Sequence, residues 1–141
     1  MVQRACCNAR LKLIQYRMGS KTMAQAKYIL ALDEGTTCAK AAIYDHEGAA
    51  KGRGAHEITQ FFPRSGWVEH DPEEIWRAQV LAIKSAMRKA RIQPSQLEAV
   101  GIANQRETTI LWDKRTGRPM HNAIVWQWRR TARIAEELRK G

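Results

Sequence analysis

A chain of 141 residues, 44% hydrophobic and 27% charged, is long enough for one domain with a sizeable core and has the composition of a soluble globular protein. No run approaches the roughly 18 consecutive apolar residues of a membrane span. Three cysteines and four histidines, with no C-x-x-C pair or metal-ligand spacing, point to a reducing compartment and no structural metal.

The net charge of +10 is unevenly placed. Residues 1–27 carry Arg4, Arg10, Lys12, Arg17, Lys21 and Lys27 and no acid, whereas the rest holds 18 basic and 14 acidic groups. The basicity therefore belongs mostly to the leader, and nucleic-acid binding by the folded part is not expected. The leader reads as an organelle transit peptide, or as residues upstream of a true start at Met18 or Met23, in which case it is an artefact. The second reading is favoured, and a disordered or loosely helical segment is expected either way.

From Tyr28 the pattern changes to short strands. "YILAL" is a continuous apolar run, as in a strand buried on both faces. "AKAAIYD" follows, then a turn at "HEG", then the glycine-interrupted "AAKGRGAHEITQ", together an antiparallel meander. "FFPRSGWVEH" reads as a loop broken by Pro63 and Gly66.

"DPEEIWRAQVLAIKSAMRKAR" is the clearest helix. Asp71 is placed to cap it, Pro72 suits its first position, and Glu73 and Glu74 sit at its positive end. Glu74, three residues after Asp71, has capping-box spacing. Trp76, Val80, Ile83 and Met87 form one apolar stripe, with Arg77, Lys84, Arg88 and Arg91 towards solvent. "LEAVGIA" returns as a strand ending in the polar burst "NQRE". "TTILWDKRTGRPMHNAIVW" reads as two strands around a turn at Asp113 to Gly117. "RRTARIAEELRKG" closes as a helix with Ile134 and Leu138 inward. The order describes an α/β protein, a mixed sheet with flanking helices.

Two stretches carry chemistry. In "DEGTT", Gly35 permits a tight turn whose backbone N–H groups can meet a phosphate. Thr36 and Thr37 add hydroxyls, Lys40 a cation, and Asp33 a carboxylate able to hold magnesium. No Walker A pattern is present, and an ordinary β-turn is the alternative. In "NQRETT", Arg106 and Glu107 at a strand end can recognise vicinal hydroxyls, the carboxylate accepting and the guanidinium donating. An exposed pair of opposite charges is the alternative there. Trp126 is either core or an apolar wall for the carbons of a small polyol.

Taken in order, "LDEGTT", "GWVEHDPEEIW", "GIANQRETTILWD", "TGRP" and "NAIVWQWRRTA" resemble the amino-terminal part of glycerol kinases in the FGGY carbohydrate kinase family, over residues 28–141. The resemblance implies a ribonuclease-H-like, actin-like ATPase fold, incomplete here, corresponding to the amino-terminal part of domain I. It implies a cytoplasmic enzyme that transfers the ATP γ-phosphoryl group to a terminal hydroxyl of glycerol, with no membrane or nucleic-acid partner. Homo-oligomerisation of the full-length protein stays open.

By the same resemblance, Thr36, Thr37, Cys38 and Lys40 would face the nucleotide phosphates and Asp33 would serve Mg2+. Arg106 and Glu107 would hold glycerol hydroxyls, and Trp126 would pack on its carbons. The family usually has glutamine, serine and arginine where Glu34, Cys38 and Lys40 stand. Its catalytic base, a glycerol-contacting tyrosine and the adenosine-binding domain would lie beyond Gly141. The chain is thus expected to be a fragment, inactive alone. The alternatives are a natural truncated protein that binds without catalysis, and a kinase for another small polyol.

Overall fold

The computed structural model describes residues 28–140, so the basic leader lies outside the described residues. Strands β1 (Tyr28–Glu34), β2 (Cys38–Asp45) and β3 (Ala50–Glu57) form the antiparallel meander. Helix α1 (Pro72–Ala90) crosses over and returns the chain through a 3-10 turn at Pro94–Gln96 into β5 (Leu97–Asn104). That strand lies parallel to β1, completing a mixed sheet of order β3-β2-β1-β5. A second, two-residue ladder pairs β4 (Glu69–His70) with β6 (Ala123–Ile124), and α2 (Ala132–Arg139) closes the described chain.

α1 begins as the sequence suggests. Asp71 caps it, its Oδ1 accepting from the Glu73 amide at 2.9 Å, and Pro72 takes the first turn. Glu74 does not complete a capping box: its Oε1 accepts from the Thr59 amide at 3.1 Å and the Thr59 hydroxyl at 2.8 Å. The carboxylate ties the segment after β3 to the helix instead of satisfying its own N-terminus. At the far end Arg91 turns left-handed (φ 56°), and its amide donates to the Arg88 and Met87 carbonyls.

The face of α1 that meets the sheet differs from the stripe of large side chains. Ala78, Ala82 and Ala86 are buried, whereas Trp76 is 50% exposed. The reason lies on β3. A methyl at Gly54 would collide with the Ala82 carbonyl, and one at Gly52 with the Ala86 carbonyl. Helix and strand touch backbone to backbone there, and only alanine and glycine allow it. The core forms on this face from Leu30, Ala41, Ile43, Ala82, Ala86 and Ile92, with Ile83 and Met87 packed at its margin.

β1 is not buried on both faces: Leu30 faces α1 and is 4% exposed, while Ile29 on the other side is 43% exposed. Nor do Ile134 and Leu138 point inward, being 57% and 78% exposed, because no described element packs substantially against α2. Between β5 and β6 the turn at 113–117 is present, closed by the Gly117 amide on the Asp113 carbonyl at 2.8 Å. Its flanks form isolated bridges, Trp112 to Pro119 and Thr109 to Ile124, rather than two full strands.

The end of the stretch read as a loop becomes β4. His70 within it is wholly buried, and neither ring nitrogen has a hydrogen-bond partner. Burial holds its pKa below the ordinary 6.5, against the pull of the Glu74 carboxylate.

Candidate functional site

β1 and β5 run parallel and end side by side, Glu34 opposite Asn104. The ladder continues one bond further, the Gln105 amide donating to the Glu34 carbonyl at 2.7 Å. Beyond these carboxyl ends the two chains diverge, one into the tight Gly35–Thr37 hairpin loop and the other into the turn of Arg106 and Glu107. In open α/β sheets, ligands bind in such a crevice.

The crevice is an open cleft of about 360 Å³ lined by Asp33, Gly35, Thr36, Asn104, Gln105, Arg106, Glu107 and Trp126. It therefore gathers residues from both stretches that carried chemistry in the sequence, together with Trp126. Thr37, Cys38 and Lys40 are not among its lining residues. The Thr37 carbonyl accepts from the Ile58 amide at 3.0 Å, and the Cys38 thiol lies 3.5 Å from the Ala39 carbonyl. Lys40 Nζ pairs with Asp33 Oδ2 at 3.4 Å, an exposed contact on the sheet face behind the cleft.

Local geometry explains how each wall is held. A Cβ at Gly35 would stand 3.0 Å from the Cys38 carbonyl, which itself accepts from the Gly35 amide at 3.2 Å. The loop is that tight. Glu107 adopts a left-handed backbone (φ 63°), unusual for a residue with a side chain. Trp126 enters from the segment after β6 and is fixed at two points. Its backbone amide reaches Thr108 Oγ1 at 3.4 Å, and its indole Nε1 donates to Thr36 Oγ1 at 2.9 Å. The second bond joins the two walls.

Electrostatically, the end of β1 beside the cleft is unusual. Burial raises the Glu34 pKa above the ordinary 4.5, the Gln105 amide opposes that rise, and the Asp33 charge adds to it. Glu34 Oε1 and both polar atoms of the Gln105 side chain nevertheless lack a partner with hydrogen-bond geometry. Asn104 and Gln105 are the cleft residues that reading by residue type passed over. Their signal was present in the unbroken polar run "NQRETT" after an apolar strand.

No group of three or more His, Cys, Asp or Glu able to hold a metal occurs among the described residues. No helix among them is long and apolar enough to cross a membrane.

Residues 28–141 match the FGGY family of carbohydrate kinases, N-terminal domain. The chain belongs to this family. The glycerol kinase of Thermococcus onnurineus is 58% identical over 114 residues, covering 81% of this chain and 23% of that protein. Glycerol kinase 2 of Sulfolobus acidocaldarius is 55% identical over 113 residues, covering 80% and 23%. Among solved structures, the Plasmodium falciparum glycerol kinase with ADP superposes with a TM-score of 0.70 at 32% identity, over 81% of this chain and 22–23% of its neighbours' length, as does the gluconate kinase of Lactobacillus acidophilus at 0.73 and 24%. The second likeness shows the fold alone. This FGGY chain thus has the actin-like ATPase fold and spans 23% of the length of the curated glycerol kinases it matches.

Proposed function

We propose that the chain supplies the glycerol-holding and phosphate-holding part of an ATP-dependent glycerol kinase, which converts glycerol to glycerol 3-phosphate. The observation that carries this reading is the cleft, which brings Asp33 and Thr36 of the hairpin against Arg106, Glu107 and Trp126. One wall suits phosphate and the other suits a small polyol.

Glu107 accepts hydrogen bonds from two neighbouring glycerol hydroxyls, while the Arg106 guanidinium donates to their oxygens. The half-exposed Trp126 ring covers the carbon skeleton. Backbone amides and hydroxyls of Thr36 and Thr37, with the Cys38 amide, face the nucleotide phosphates. Lys40 adds a cation once its exposed contact with Asp33 opens. Phosphoryl transfer depends on such positioning and on neutralising phosphate charge.

The donor set fits magnesium. That ion keeps several waters and takes one or two carboxylates beside substrate phosphates. The Asp33 carboxylate at the cleft rim is 56% exposed and so open to a hydrated ion. When bound, magnesium would offset phosphate charge there.

A chimera tests the reading. Residues 28–141 are placed in the Thermococcus onnurineus kinase in exchange for the 114 residues they match. Glycerol-dependent release of ADP is expected. A chimera that melts cooperatively yet turns over another polyol or a sugar in preference to glycerol refutes the substrate assignment. The 141-residue chain itself is expected to bind glycerol, seen by saturation-transfer NMR, without turning it over.

A further inference from the structure

Thr36 and Trp126 are 90 residues apart in sequence and stand on opposite walls of the cleft, yet the indole Nε1 donates to the Thr36 hydroxyl at 2.9 Å. Trp126 is 52% exposed, so packing alone does not fix its ring. Its other polar tether is the long backbone contact with Thr108, which leaves the side-chain rotamer free. The indole N–H is a donor only, and a hydroxyl offers two acceptor lone pairs and one proton. By accepting from the indole, Thr36 keeps its own proton available for an anion at the hairpin.

We propose that Thr36 is a positioning residue for the polyol wall: its hydroxyl holds the Trp126 ring upright beside Arg106 and Glu107. The hairpin that meets phosphate thereby also shapes the opposite pocket. This inference rests on the glycerol reading of the cleft. It assigns Thr36 a second task that a phosphate contact alone would not require. A wall ring free to rotate would have to be ordered at each binding event, and that ordering weakens binding.

The test is a double-mutant cycle in the 141-residue chain. Thr36→Val keeps the side-chain shape and removes the acceptor; Trp126→Phe keeps an aromatic wall and removes the donor. Glycerol affinity is measured by ligand-observed NMR, and the bond itself through the indole resonances of the five 15N-labelled tryptophans. Each single variant is expected to weaken glycerol binding about 3- to 10-fold, the scale of one hydrogen bond. The double variant should lose no more than either single one. Thr36→Val should shift the Trp126 indole resonance, and Thr36→Ser should restore both position and affinity.

Multiplying losses, or a Trp126 resonance unmoved by Thr36→Val, overturn the positioning role. Trp126→Ala separates that failure from failure of the underlying reading. If removing the ring leaves glycerol affinity intact, or the unaltered chain binds no glycerol, the cleft is not a polyol site and the inference falls with it. If Thr36→Val unfolds the chain, Trp126→Phe still reports the same bond from its other end.

Discussion

Gly54→Ala should be the most damaging one-carbon change in the sheet. The added methyl would meet the Ala82 carbonyl and stand 2.9 Å from both the Ala86 amide nitrogen and Ser85 Cβ. A carbon settles no closer than about 3.3 Å to a carbonyl oxygen, so α1 must lift by about 1 Å. A gap of that size forfeits a quarter to a half of each dispersion contact it opens. The contacts concerned are those of Ala41 and Ile43 with Ala82 and Ala86, which form the main core. The expected loss is about 3 kcal/mol, the upper part of the range for overpacked sites. At about 4 °C or more per kcal/mol, the melting midpoint should fall by roughly 12 °C. Gly101→Ala is the control, since nothing lies within 4 Å of that position. It should change stability by less than about 0.5 kcal/mol, in the stabilising direction if at all. Thermal melts of both variants followed by circular dichroism decide the matter. A Gly54→Ala chain melting within about 2 °C of the parent would show that α1 does not rest on β3 as described.

Three further outcomes follow from single side chains. Glu34→Gln removes a carboxyl whose folded-state pKa is raised by burial, so the parent loses stability as pH climbs above the ordinary 4.5. The variant should be the more stable at pH 7, with the difference closing towards pH 4; urea midpoints across that window that stay parallel would contradict it. Asp71→Ala should cost about 1 kcal/mol through loss of the cap on the Glu73 amide, and Asp71→Asn much less; equal urea midpoints for the two would sink the capping argument. Glu107→Gly relieves the left-handed backbone and deletes the proposed hydroxyl acceptor. It should raise stability by up to about 1 kcal/mol while weakening glycerol binding more than about 10-fold. A destabilised variant with unchanged affinity would refute both halves.

The sequence disclosed those parts of the fold whose signals are local. "YILAL" and "LEAVGIA" became the parallel pair β1 and β5, and "DPEE" opened α1 where its capping chemistry placed it. The polar runs at the two strand ends also met, because parallel neighbours finish on the same side. What stayed hidden were contacts set by the partner surface. The stripe through Trp76 and Val80 gives the helix an apolar period, but Gly52 and Gly54 demand small residues opposite them and so select Ala78, Ala82 and Ala86. Trp67 stacks on Trp128 at 4.7 Å, with Arg130 over both rings and Arg64 over the first, and nothing near either tryptophan announces the other. Lys40 has the residue type of a phosphate contact, yet the alternation of β2 turns it to the sheet face, where it meets Asp33.

The residues that break the rules of folding are not scattered. Of the six buried side-chain atoms found without a partner among the described residues, two belong to Gln105, which lines the cleft, and one to Glu34, at the end of the neighbouring strand. Glu107, one of only two described non-glycine residues with positive φ, stands beside them. The other, Arg91, has an ordinary reason, since it terminates α1. Orphaned polar atoms and a strained backbone both destabilise the folded chain. A ligand able to hydrogen-bond in the cleft would satisfy the Gln105 side chain and draw on the side chain that the strained backbone orients. Such a site is less stable empty than filled, so glycerol should raise the melting temperature by mass action. Gln105 is the sharpest point of that argument. Its side-chain amide has no partner with hydrogen-bond geometry, so Gln105→Leu should leave the unliganded melt intact while reducing the glycerol-induced shift.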